Sequence, residues 1–205
     1  MIAIIDYGVG NLFSLRSSLA AIGADAVVTG NIQEIRNAEK IILPGVGAFG
    51  DAADKLEKTG LAKVVKEEAD GGKPILGICL GMQLLFDKSY EYGEHDGLGL
   101  IHGEIRPIEE VIPKDYKIPH IGWNALNFKG EKSRIFKYIN DGDFVYFVHS
   151  YYGTKCEKNV TATAEYGVPL TASVEKDNVF GCQFHPEKSG KVGLNILRAF
   201  CEAEV

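Results

Sequence analysis

The feature that most constrains this chain is an alternation in its first half, where short apolar runs are each followed by a stretch of helical length. The run 2–6 (IAIID) precedes 11–22, 26–28 precedes about 31–37, 40–45 precedes about 49–69, and 73–79 precedes about 80–87. Apolar strands separated by amphipathic helices predict a parallel sheet covered by helices, an α/β fold. Ligands of such sheets bind beyond the carboxyl ends of the strands. Three of those ends carry glycine turns, DYGVGN (6–11), PGVGAFG (44–50) and GICLG (77–81). In the second half, 97–106, 117–123, 144–149, 160–165, 170–175 and 179–184 read as strands separated by turns, and a last helix spans about 189–203. These strands are expected to be antiparallel and to extend the main sheet. A length of 205 residues suits a single domain over 1–205.

Composition removes several function classes. No apolar run approaches the ~20 residues a membrane helix needs, and the opening MIAIIDYG has neither the basic leader nor the apolar length of a signal peptide. A net charge of −6 offers no basic stripe for phosphate backbones, so nucleic acid is not an expected partner. The four cysteines, Cys79, Cys156, Cys182 and Cys201, are widely spaced and lack metal-ligand spacing, which argues against a disulfide scaffold and a zinc site and for a reducing cytoplasm. Neither a metal nor a cofactor is expected. GVGNLF resembles the opening of a dinucleotide fingerprint, but Phe13 stands where its third glycine would be.

Gly77-Ile78-Cys79-Leu80-Gly81 has the form of a strand-turn-helix elbow with cysteine at its tip. Flanking glycines permit a tight, strained turn, and the following helix N-terminus favours a thiolate and aims the Leu80 amide at a developing oxyanion. The same five residues would equally suit a small side chain buried in a strand. QFHPEKS (183–189) tips the balance, because His185 and Glu187 stand two apart after an apolar strand. On extended backbone that spacing puts both side chains on one face, so a carboxylate can orient the imidazole that takes the thiol proton. PGVG (44–47) could turn the amide of Val46 or Gly47 toward a ligand, or be an ordinary strand-end turn.

KPILGICLGMQLL with QFHPEKS resembles the class I, triad-type glutamine amidotransferases. The further segments IIDYGVGNLFSL, ILPGVGAFGDA, HIGWN and YFVHSYY narrow the resemblance to the glutaminase subunits of imidazole glycerol phosphate synthase, a histidine-biosynthetic enzyme. The resemblance runs nearly end to end and implies a three-layer fold with a mostly parallel central sheet flanked by helices. It also implies that Cys79 attacks the side-chain amide of glutamine, that His185 is base and then acid, and that Glu187 orients His185. Leu80 and Val46 become oxyanion donors, and Gly47, Gln83, Ser150 and Tyr151 the pocket for glutamine.

In such enzymes the ammonia passes to a TIM-barrel cyclase in a heterodimer, through a route that excludes water. Interface positions implied by the resemblance are Asn11, Trp123, Tyr146 and Lys188. A lone Trp is otherwise often a core residue. His120 and His149 read as structural histidines, His95 and His102 have no assigned role, and the remaining cysteines are expected to be inert. Two other readings share the motifs. One is a paralogue supplying ammonia for sugar or surface-glycan synthesis, and the other is a non-enzymatic regulatory subunit. The glycine-flanked PGVG turn further suggests a subunit nearly idle alone, its Val46 amide turned away until the partner is bound.

Overall fold

The computed structural model describes residues 1–204. Its first half is β1 (Ile2–Ile5), α1 (Leu12–Ala21), β2 (Ala26–Thr29), α2 (Ile32–Asn37), β3 (Lys40–Leu43), α3 (Phe49–Lys58), α4 (Leu61–Asp70), β4 (Ile75–Ile78) and α5 (Leu80–Leu84). The second half is mostly strand: β5 (Phe86–Ser89), β6 (His95–Asp96), β7 (Ile101–Pro107), β8 (His120–Ala125), β9 (Asn127–Phe128), β10 (Phe144–His149), β11 (Tyr151–Thr154), β12 (Val160–Glu165), β13 (Pro169–Lys176) and β14 (Val179–Cys182). Helix α6 (Gly190–Glu202) follows.

The main sheet has eight strands in the order β2-β1-β3-β4-β14-β13-β12-β9. Pairing is parallel from β2 through β14 and antiparallel beyond. Strands buried on both faces explain the unbroken apolar runs, since β1, β4 and β14 are buried at every position. Successive residues supply opposite cores. Ala3 and Ile5 face a layer containing Ile35, Phe49, Leu56 and Val65 of α2, α3 and α4, while Ile2 and Ile4 face Leu15 and Leu19 of α1 and Leu197 and Phe200 of α6. The result is the expected helix-sheet-helix arrangement.

Departures from the sequence reading have local causes. The stretch 49–69 is two helices, because Gly60 adopts φ 74° and turns the chain between α3 and α4. The stretch 80–87 is helical only to Leu84; Phe86 then enters β5 and fills the space beneath Gly153, where a Cβ would lie 2.6 Å from its ring. The strand placed at 97–106 begins at Ile101, and the one placed at 117–123 is His120–Ala125. The expectation that all second-half strands are antiparallel and extend the main sheet is corrected. Only β9 and β12 to β14 join it; β10 pairs with β8 alone, and β11-β7-β5-β6 form a third sheet. Two pairings, β14 with β4 and β5 with β7, are parallel.

Candidate active site

Cys79 stands between β4 and α5 with φ 56° and ψ −112°, a backbone conformation that side-chain-bearing residues rarely adopt. Such strain costs about 1–3 kcal/mol and persists only where its surroundings enforce it. They do so here. The Cys79 amide continues the β4–β14 pairing by donating to the Cys182 carbonyl at 2.7 Å. The flanking glycines permit close packing, since a Cβ on Gly81 would lie 1.8 Å from the Leu43 carbonyl oxygen and one on Gly77 would lie 2.6 Å from that of Gly81. The elbow is wedged against the end of β3, and Cys79 is 8% exposed. The Gln83 amide closes the first turn of α5 on the Cys79 carbonyl at 3.2 Å, leaving the Leu80 amide ahead of it without an intrahelical acceptor.

The parallel pairing of β14 with β4 brings residues 183–187 beside this elbow. His185 is 3% exposed, and its Nδ1 lies 2.8 Å from Glu187 Oε1. Burial alone would lower the imidazole's pKa. Hydrogen bonding to Cys79 and Glu187, with their charges, outweighs it and raises His185 to about 9. The side chain of Glu187 is 4% exposed and its Oε2 is buried without a hydrogen-bond partner, so its charge is directed at the imidazole instead of being shared among other donors.

A cavity of about 630 Å³ opens beside the thiol. Val46, Gly47, Leu80, Gln83, Ser150, Tyr151 and Lys188 line it with Cys79 and His185, so the structure gathers every residue assigned to the nucleophile, base, oxyanion donors and pocket. Glu187 lies behind His185. Within PGVG, Gly45 is held fast, because a Cβ there would lie 2.8 Å from the Gly81 nitrogen and 2.9 Å from the Tyr7 hydroxyl. That hydroxyl donates to the Pro44 carbonyl at 2.8 Å. Burial, then the Cys79 charge, pushes the Tyr7 phenol far above its ordinary pKa, so it stays a neutral donor. Gly47, by contrast, has φ 92° and no atom within 4 Å of where its Cβ would be.

Trp123, Tyr146 and Lys188 form one cluster at the rim. Trp123 is 55% exposed and faces Tyr146 across the β8–β10 pair, with ring centroids 6.2 Å apart; Lys188 Nζ lies 5.9 Å from the Tyr146 ring centroid. Trp123 is therefore not a core residue. Asn11 precedes α1, a helix that packs against the 186–188 turn carrying Lys188, and its side chain makes no capping bond.

Glu91 was missed in the sequence. The residue is 8% exposed and lines the cavity, and its carboxylate accepts from the Phe49 amide at 2.6 Å, capping α3 from a loop with no motif of its own. Gln183 was also missed; it lies two residues before His185 on a bend that follows β14, so no strand periodicity marks it. The other thiols are protonated. Burial raises Cys156 to about 11 and pushes Cys182 and Cys201 above the ordinary thiol value.

Comparison with known proteins agrees with this geometry. The profile of the class-I glutamine amidotransferase family matches residues 3–203, and the chain belongs to that family. Solved structures show the same fold. A crystal structure of a glutamine amidotransferase superposes with a TM-score of 0.76 at 16% identity, covering 98% of both chains, and PurLQS from Thermotoga maritima gives 0.76 at 21%, covering 98% of this chain and 97% of that one. Within the class, the chain is 53% identical over 203 residues to the imidazole glycerol phosphate synthase subunit HisH of Caldanaerobacter subterraneus subsp. tengcongensis, spanning 98% of each protein. It is 50% identical over 199 residues to the HisH subunit of Aquifex aeolicus, spanning 96% of this chain and 94% of that protein. The chain is accordingly a member of the HisH family of amidotransferase subunits.

Proposed function

We propose that Cys79, His185 and Glu187 act as a triad that hydrolyses the side-chain amide of glutamine. The observation that carries this reading is an imidazole bonded to a buried carboxylate on the wall of the same cavity as the elbow thiol. The Cys79 thiolate attacks the amide carbon, and the tetrahedral oxyanion is received by the Leu80 amide, joined by that of Val46 once the turn presents it. His185 gives its proton to the departing nitrogen, releasing ammonia and leaving a thioester. Water, deprotonated by the same imidazole, attacks the thioester; glutamate leaves and the thiolate returns. Gly47, Gln83, Ser150 and Tyr151 hold the substrate, and the buried Glu91 carboxylate at the cavity wall suits its ammonium group.

The ammonia is delivered to a TIM-barrel cyclase in a heterodimer, which uses it to form imidazole glycerol phosphate and aminoimidazole carboxamide ribotide. The family and the exposed Trp123 with Tyr146 and Lys188 beside the cavity support this, and Asn11 is assigned to the same interface. The relatives named above carry the histidine-pathway name, which favours that acceptor over a glycan precursor. A non-enzymatic subunit would have no need of a strained thiol, a raised imidazole and a buried carboxylate around one cavity. The open space around Gly47 between the pinned Gly45 and α3 is what a reorienting oxyanion turn needs, so the subunit alone is expected to be nearly idle. Four free cysteines fit a reducing cytoplasm, and among the described residues no helix is long and apolar enough to cross a membrane.

Glutamate release from glutamine, measured for the chain alone and with the cyclase barrel and its nucleotide, tests this reading. Strong stimulation is expected. In the complex, Cys79→Ala should abolish glutamine-dependent turnover and spare turnover on added ammonia; loss of both would overturn the two-site scheme.

A further inference from the structure

The cavity wall holds a second buried polar chain that the triad does not use. Gln83 Nε2 lies 3.2 Å from the Tyr151 backbone oxygen and 3.0 Å from Gln183 Oε1. Gln183 Nε2 in turn lies 3.8 Å from Cys79 Sγ. Both side chains are buried, with Gln183 fully inaccessible and Gln83 5% exposed. The Tyr151 carbonyl is an acceptor and nothing else, so it fixes the whole chain. The Gln83 end facing it must be the NH2, and the Gln183 atom facing that NH2 must be the carbonyl oxygen. Gln183 is then left with its NH2 toward the sulfur. A second acceptor-only anchor holds the backbone, as the Gln183 amide donates to Ala172 O at 2.9 Å. Gln183 and His185 stand two apart on the bent segment leaving β14, and both are directed at the Cys79 thiol.

We propose that Gln183 is a further catalytic residue, donating a side-chain N–H to the Cys79 sulfur and stabilising the thiolate over the thiol. A thiol needs no such donor, while a thiolate desolvated at 8% exposure gains from each one. Gln83 has a positioning role: by holding Gln183 it prevents the amide from rotating its oxygen toward the anion, which would repel it. Gln83 uses both its hydrogens in doing so, leaving its own oxygen for the cavity. The proposal rests on Cys79 being the nucleophile.

The test is the pH dependence of Cys79 alkylation by iodoacetamide in the full chain, followed by peptide mass. The groups that also bear on this thiol are Tyr7 after β1, His149 at the end of β10, His185 and Glu187 after β14, and Glu91 and Lys188 on the cavity wall. All are present in every variant compared. Gln183→Met keeps the bulk and removes the donor, and should raise the alkylation midpoint by about one pH unit. Gln183→Glu keeps the shape and should raise it further, because it places a like charge at the sulfur. In the unmodified chain the side-chain amide 15N resonance of Gln183 should move with the same midpoint as the thiol, a readout that needs no variant to fold. An amide resonance that stays fixed through the thiol titration, or an unmoved midpoint in folded Gln183→Met, overturns the proposal and leaves the triad standing. Failure of a glutamine-mimicking electrophile to label wild-type Cys79 would instead overturn the reading beneath it.

Discussion

Cys79 sets the demands of folding against those of the chemistry proposed for it. Its backbone lies where glycine is at ease and a side chain is not. Cys79→Gly should therefore be more stable than Cys79→Ser by about 1 kcal/mol in chemical denaturation, although both lose glutamine hydrolysis. The neighbouring glycine allows no such exchange. Gly81→Ala drives a Cβ into the Leu43 carbonyl, and a loss of about 1–3 kcal/mol in chemical denaturation is expected, with hydrolysis lost as the elbow shifts. His185 sets a pH signature. Its folded pKa of about 9 lies above the ordinary imidazole value, so the stability it contributes is complete below about pH 6.5 and fades as pH rises through about 9. The melting midpoint should thus fall from pH 7 to 9 in the wild type and fall less in His185→Gln.

At the scale of elements, the parallel half was legible because its strands are buried on both faces and read as unbroken apolar runs. Cys79, His185 and Glu187, the proposed triad, were picked out by local patterns, although Glu187 meets His185 from a 3-10 turn over Pro186–Lys188 and not on the extended backbone expected. What escaped the sequence depended on contacts between distant residues. Nothing near Phe86 announces that β5 begins one residue after the C-cap of α5, because the glycines that make room for its ring are Gly103 and Gly153. Nor does anything near Glu91 mark it as the cap of a helix 42 positions away. The pairing of β8 with β10 likewise turns two unremarkable histidines into a directed chain. Asn124 Nδ2 donates to His120 Nε2 at 3.3 Å, His120 Nδ1 to His149 Nε2 at 2.9 Å, and His149 Nδ1 to the Tyr151 carbonyl at 2.8 Å. Burial holds His120 down at about 4 and His149 at about 3, so both are neutral at pH 7. Depressed values mean stability that is complete above about pH 6.5 and is lost as pH falls toward 4. His120→Gln, which keeps a donor and an acceptor without titrating, should shrink that acid-side loss in urea midpoints measured from pH 7 to 4.

For the whole molecule, the rim cluster and the site are mechanically one object. The His185 amide donates to the Tyr146 carbonyl at 2.9 Å, and Ser189 Oγ accepts from the Tyr146 amide at 2.9 Å while donating to the His185 carbonyl. A partner pressing on Trp123 and Tyr146 thus bears on the backbone that carries the base. Trp123→Ala should weaken association with the barrel by about 2 kcal/mol, roughly thirtyfold in Kd by titration calorimetry. The pairing of β14 with β4 has one more consequence, concerning time. A chain growing on the ribosome exposes Cys79 104 positions before Gln183 is made, and His185 follows later still. Throughout that interval the thiol lacks the base and the donor proposed for it. Only the insertion of β14 between β4 and β13 brings them to it, so the proposed site is assembled last, with the sheet that confines it.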